Sequence, residues 1–115
     1  MTLSTVNPSP FYQGDNTTIP FTITDNSGNV VNITNATFTW VVWNISFGNV
    51  ITKTLGSGLA FGDPTKGQLA ATLVYNDTAT IVPTQYVHML EMVLAGNRTV
   101  EATGMLSVLK NYTLV

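Results

Sequence analysis

Residues 11 to 40 read FYQGDNTTIPFTITDNSGNVVNITNATFTW, and apolar and polar residues alternate on both sides of a polar, glycine-containing turn. Strict alternation puts successive side chains on opposite faces of a strand, so Ile19, Phe21 and Ile23 are expected to face a core, with Thr18, Pro20, Thr22 and Thr24 facing away. Asp25, Asn26, Ser27, Gly28 and Asn29 supply a turn, because Asp and Asn side chains bond to nearby backbone and glycine accepts a positive φ. The chain returns through Val30, Val31 and Ile33 into the long apolar strand of residues 36 to 45, and a tight hairpin is expected.

That second strand is apolar on both faces, with Phe38, Trp40 and Val42 on one side and Val41, Trp43 and Ile45 on the other. Short strands are expected over residues 50 to 54 and 59 to 61, separated by Gly56, Ser57 and Gly58. Residues 68 to 75 alternate again, with Leu69, Ala71, Leu73 and Tyr75 sharing a face. Residues 76 to 84 read as a connector plugged by Ile81 and Val82, and residues 86 to 94 and 100 to 109 as a final antiparallel pair around Ala95, Gly96 and Asn97. Seven to eight short strands with turn signals between them, and no stretch of helical period, predict an all-β antiparallel sandwich. Residues 1 to 10, containing Pro8 and Pro10, read as an extended N-terminal arm; residues 11 to 109 form the sandwich and 110 to 115 a C-terminal tail.

The length of 115 residues fits one domain with a single core. Only 9% of the residues are charged, against roughly 25% in an ordinary soluble domain. Thr and Asn fill the solvent positions instead, and a surface with so few charges suits a crowded assembly. The net charge of −2 leaves Lys53, Lys66, Arg98 and Lys110 as the only cationic side chains, which argues against nucleic acid as a partner. There is no cysteine, hence no disulfide framework. No apolar run approaches the ~20 residues of a membrane span, and Met1, Thr2, Leu3 and Ser4 do not begin a secretory signal, so the chain is expected to fold in the cytoplasm where it is made.

Several short matches occur in order: Gly14-Asp15 before the first strand; Ile23-Thr24-Asp25 leading to Gly28; residues 31 to 37, VNITNAT, before Phe38 and Trp40; Gly67-Gln68-Leu69; Pro83-Thr84-Gln85-Tyr86; Thr99-Val100; and Gly104-Met105-Leu106-Ser107-Val108. Over residues 11 to 109 this pattern resembles the immunoglobulin-like domain at the N-terminus of phage baseplate upper proteins and of related tail-fibre and capsid-accessory proteins. Asn32, Asn35 and Thr84 depart from the family pattern. The resemblance implies an immunoglobulin-like β-sandwich and a building block of a virus particle.

Candidate chemical groups are sparse. His88 stands alone in strand register with Tyr86, Leu90 and Met92, and is expected to be half-buried and hydrogen-bonded; neither catalytic residues nor a cofactor are expected. Asp15, Asp25, Asp63 and Asp77 lie in turns, where backbone capping explains them without a metal ion. Seven Asn-x-Ser/Thr sequences, at Asn16, Asn32, Asn35, Asn44, Asn76, Asn97 and Asn111, follow from Asn and Thr at strand ends rather than from glycosylation. The sharper signal is the second apolar face. Val41 and Trp43 on one strand and Val87, Met89 and Val93 on another, interrupted by Glu91, are candidate protein-contact residues, joined by Leu3 and Val6 of the arm; another strand or the arm covering that face within the chain is the competing expectation.

Together these features lead to the expectation of a phage virion structural protein: foremost a capsid cement or decoration protein binding the major capsid protein across subunit junctions, as a homo-oligomer with a trimer favoured. The alternatives are a tail or baseplate adaptor, and a module that binds host carbohydrate through Trp43, Trp40 or Tyr12.

Overall fold

A computed structural model describes residues 4 to 114 of the protein. Nine strands occur among these residues: β1 (Ser4–Thr5), β2 (Phe11–Tyr12), β3 (Thr17–Thr22), β4 (Thr37–Asn44), β5 (Gly48–Leu55), β6 (Gly58–Phe61), β7 (Gln68–Leu73), β8 (Gln85–Leu94) and β9 (Asn97–Leu109). A 3-10 turn at Pro64–Lys66 and a one-turn helix, α1 (Tyr75–Thr78), interrupt them. The all-β architecture is as expected, and the sheet is mixed rather than purely antiparallel. Its order is β1-β9-β8-β4-β5-β6-β7-β3, with β2 also on β9, and the pairs β1·β9, β2·β9 and β5·β6 are parallel.

The sheet curls so that its two ends face each other. The fold-over lies between β5 and β6, where Gly56 and Gly58 let the chain loop back until Leu55 sits beside Leu59. The rings of Phe38 on β4 and Phe61 on β6 meet edge to face at 6.3 Å, and Phe21 on β3 lies 6.2 Å from His88 on β8. The larger layer (β9, β8, β4, β5) thus closes over the smaller one (β6, β7, β3) in a body of 45 × 24 × 22 Å.

Period-two alternation decides which side chains enter the core. Ile19, Phe21, Ile23, Phe38, Trp40, Val42, Leu69, Ala71 and Leu73 are all buried. Tyr75, expected to continue the β7 face, instead opens α1 and is exposed. The turn after β3 forms as read: Asp25 Oδ1 accepts from the Ser27 and Asn29 amides, and Thr24 bridges Val30. The hairpin does not continue beyond it. β3 pairs along its length with β7, while β4 lies between β5 and β8. The β8–β9 pair is confirmed around a two-residue turn, Ala95 and Gly96, both at positive φ.

The arm is not a free extension. β1 runs parallel to β9, the Val6 amide donates to Thr103 O at 2.9 Å, and Phe11 on β2 enters the core. Among the Asn-x-Ser/Thr sequences, Asn32, Asn44 and Asn111 use Oδ1 to accept from the backbone amide two residues on, and Asn32 and Asn111 also accept the Thr hydroxyl. Turn closure accounts for these three.

Candidate interaction surface

The outward face of the larger layer is built by cross-strand registers. Trp43 on β4 pairs with Val87 on β8, which pairs with Met105 on β9. One step along, Val41 pairs with Met89, and Met89 with Thr103. Directly opposed side chains on one face touch or nearly touch, so Val41, Trp43, Val87, Met89 and Met105 form one apolar patch. Trp43, Met89 and Met105 are 42%, 40% and 41% exposed, with Val41 and Val87 half-buried between them. The hairpin tip beyond Trp43 adds Phe47 and Ile45, the latter 86% exposed.

A polar band ends the patch. Glu91 pairs in register with Thr39 and Val100 and accepts from Arg98 at 2.8 Å. Val93 lies beyond it, opposite Thr37 and Arg98, and stands apart. Val6 is elsewhere: partly buried, it packs against the core from the arm. Leu3 lies outside the described residues. Four of the expected contact residues are therefore brought together, and the described part of the arm pairs with β9 through Ser4, Thr5 and Val6. Met105 was missed, although the order Thr103, Met105, Ser107 against Ala102, Leu106, Val108 carries the same period-two signal.

On the inner face, His88 is fully buried, not half-exposed as expected. Indole N–H can only donate, so the Trp40 Nε1 contact to Nδ1 at 3.1 Å leaves the proton on Nε2, which donates to Val6 O at 2.6 Å. Burial pushes the His88 pKa below its ordinary value, opposed by the Val6 carbonyl. Below about pH 6.5 the unfolded chain then takes up a proton that the folded chain refuses, so stability is complete above that pH and falls as pH drops, by at most about 1.4 kcal/mol per unit. Urea midpoints between pH 7.5 and 5 should fall more steeply for the native chain than for His88→Asn; parallel profiles would show that His88 does not govern this window.

Among the described residues, no three His, Asp or Glu side chains are placed to hold a metal ion. No protein-family model matches the chain, and no curated protein matches it. Among solved structures, the chain is similar to the N-terminal domain of phage TP901-1 ORF48, with a TM-score of 0.62 and 14% identity over 96% of this chain and 100% of that one. The chain shares its fold with a domain of a phage protein. At this identity the likeness is one of architecture.

Proposed function

We propose that this protein is a non-enzymatic structural component of a bacteriophage particle, docking on another virion protein through the Trp43–Val87–Met105 face. The observation that carries the reading is the coincidence of two independent comparisons. Short motifs over residues 11 to 109 resemble a phage virion domain, and the backbone is similar to a phage domain over 96% of the chain. The patch supplies a means of attachment, since Trp and Met are favoured anchors at the centre of protein interfaces.

Burying ~300 Å² of apolar surface contributes on the order of 7 kcal/mol at about 25 cal/mol per Å², before association costs of roughly 4–15 kcal/mol are deducted. One contact of this size is weak. Repetition over many copies makes it effective, as a particle surface provides. On a capsid, the same contact would act as cement across subunit junctions, a role suited to a surface with few charges. At the tail it would fix an adaptor, a position favoured by the resemblance of residues 11 to 109 to the domain of phage baseplate upper proteins.

Labelling of purified particles in electron micrographs tests the reading: signal on the head or on the tail supports it and chooses between the two, and absence from the particle refutes it. The patch is tested separately. Trp43→Ser should change isolated-domain stability by no more than about 1 kcal/mol, because the side chain is half in solvent, yet reduce the copies retained per particle at least about tenfold, a loss of about 1.4 kcal/mol. Unchanged occupancy would move the docking surface elsewhere.

A further inference from the structure

We propose that a second surface, the cleft beside Tyr75, binds a sugar unit bearing an anionic group, either carboxylate or phosphate. This inference stands independently of where in a particle the protein sits. The cleft has a volume of about 280 Å³ and is formed where the segment after β2, the one-turn helix and the segment after β9 converge. That volume suits a single ring.

Its back wall is held by internal bonds. Buried Gln13 donates Nε2–H to Ile81 O at 2.7 Å and accepts at Oε1 from the Asn111 amide at 3.1 Å. Asn111 Nδ2 donates to Gln13 O at 3.1 Å, and its Oδ1 accepts from the Thr113 amide and hydroxyl. Both amide side chains are thereby committed to structure. In contrast, the side chains of Tyr75, Asn76, Thr80 and Lys110 line the same cleft and make no hydrogen bond to another described residue.

Tyr75 is seated rather than loose. Its ring edge lies 3.1 Å from the place a Cβ on Gly14 would occupy, with Leu114 Cδ1 at 3.4 Å from that point. Gly14 has φ +82°, so a side chain there would be both strained and in the way of the ring. The ring is 53% exposed. An aromatic surface beside free amide and hydroxyl groups matches a pyranose, whose C–H face stacks while its hydroxyls bond. Lys110 supplies the charge preference. Lys53 and Arg98 are paired with Asp77 and Glu91, whereas the Lys110 ammonium sits 5.6 Å from the centre of the Tyr112 ring, and no Asp or Glu lines the cleft. In a chain of net charge −2, this is a local positive site.

The test is a titration of the ¹⁵N-labelled full chain, followed by amide shifts, with glucuronic acid, glucose 6-phosphate, glucose and inorganic phosphate. Saturable millimolar shifts confined to residues 75–80 and 110–114 are expected with one or both anionic sugars, and which of them binds identifies the anionic group. Lys110→Gln should weaken this binding about threefold to fivefold and Tyr75→Ala about tenfold, each with the remaining spectrum intact. No shift in the cleft with either anionic sugar overturns the proposal. So does equal binding of glucose, or equal binding of phosphate alone, because the first removes the role of Lys110 and the second that of the ring.

Discussion

Trp40→Ala is expected to remove about 4–6 kcal/mol of folding stability, much of the 5–15 kcal/mol that a domain of this size possesses. Trp40 has no solvent exposure and sits mid-strand on β4, between Lys53 on β5 and Leu90 on β8 in register. Removing the ring leaves a cavity and strips His88 Nδ1 of its donor in a place water does not reach. Trp40→Phe separates the two effects, since it keeps most of the bulk and loses only the hydrogen bond and part of the volume; about 2–3 kcal/mol is expected. Urea unfolding monitored by circular dichroism checks both. A Trp40→Phe variant as stable as the native chain would show that the indole–imidazole bond has no weight.

Gly104→Ala is expected to detach the arm and cost about 2–4 kcal/mol. Gly104 lies opposite His88 in the β8–β9 register, and the arm crosses directly over it. A Cβ at this position would overlap the Val6 carbonyl oxygen, with the Val6 carbonyl carbon at 2.7 Å and Asn7 Oδ1 at 2.8 Å. Backbone cannot yield as a flexible side chain can. Displacing it breaks the His88 Nε2–Val6 O bond and the bond from the Met105 amide to Asn7 Oδ1. Hydrogen exchange at residues 5 to 7 should accelerate while strands β4 and β8 keep their protection. Met105→Ala, whose side chain points outward from the next position, should leave the arm in place. If Gly104→Ala protects the arm as well as the native chain does, the close approach is not what holds it.

These two sites also mark how far the sequence could be read. Alternation is a local property, so the inward faces of β3, β4, β7 and β8 were legible residue by residue, and so was the unusual outward face carrying Val41 and Trp43. Pairing is not local. Nothing in residues 17 to 22 distinguishes β7 from β4 as a partner; the choice is made by the fold-over at Gly56 and Gly58, which brings β7 within reach. The docking of the arm was not legible for a related reason: its place depends on a missing side chain at Gly104 and on a proton donor at His88, both far along the chain from Val6. Irregularities were hidden too. A bulge between Leu90 and Glu91 turns both Glu101 and Ala102 inward, and the Glu101 carboxylate meets the Thr99 hydroxyl at 2.6 Å while its Oε2 has no partner among the described residues.

The parallel docking of β1 and β2 along β9 has a mechanical consequence. Ser4 lies beside Ala102 and Phe11 beside Val108, so the arm and the last strand advance in the same direction. Tension that draws the N-terminal end backward and the C-terminal end forward therefore acts along the strands, not across them. The bonds between arm and β9 are then loaded together in shear instead of opening one after another, and the domain transmits a pull between its two ends without peeling from its edge.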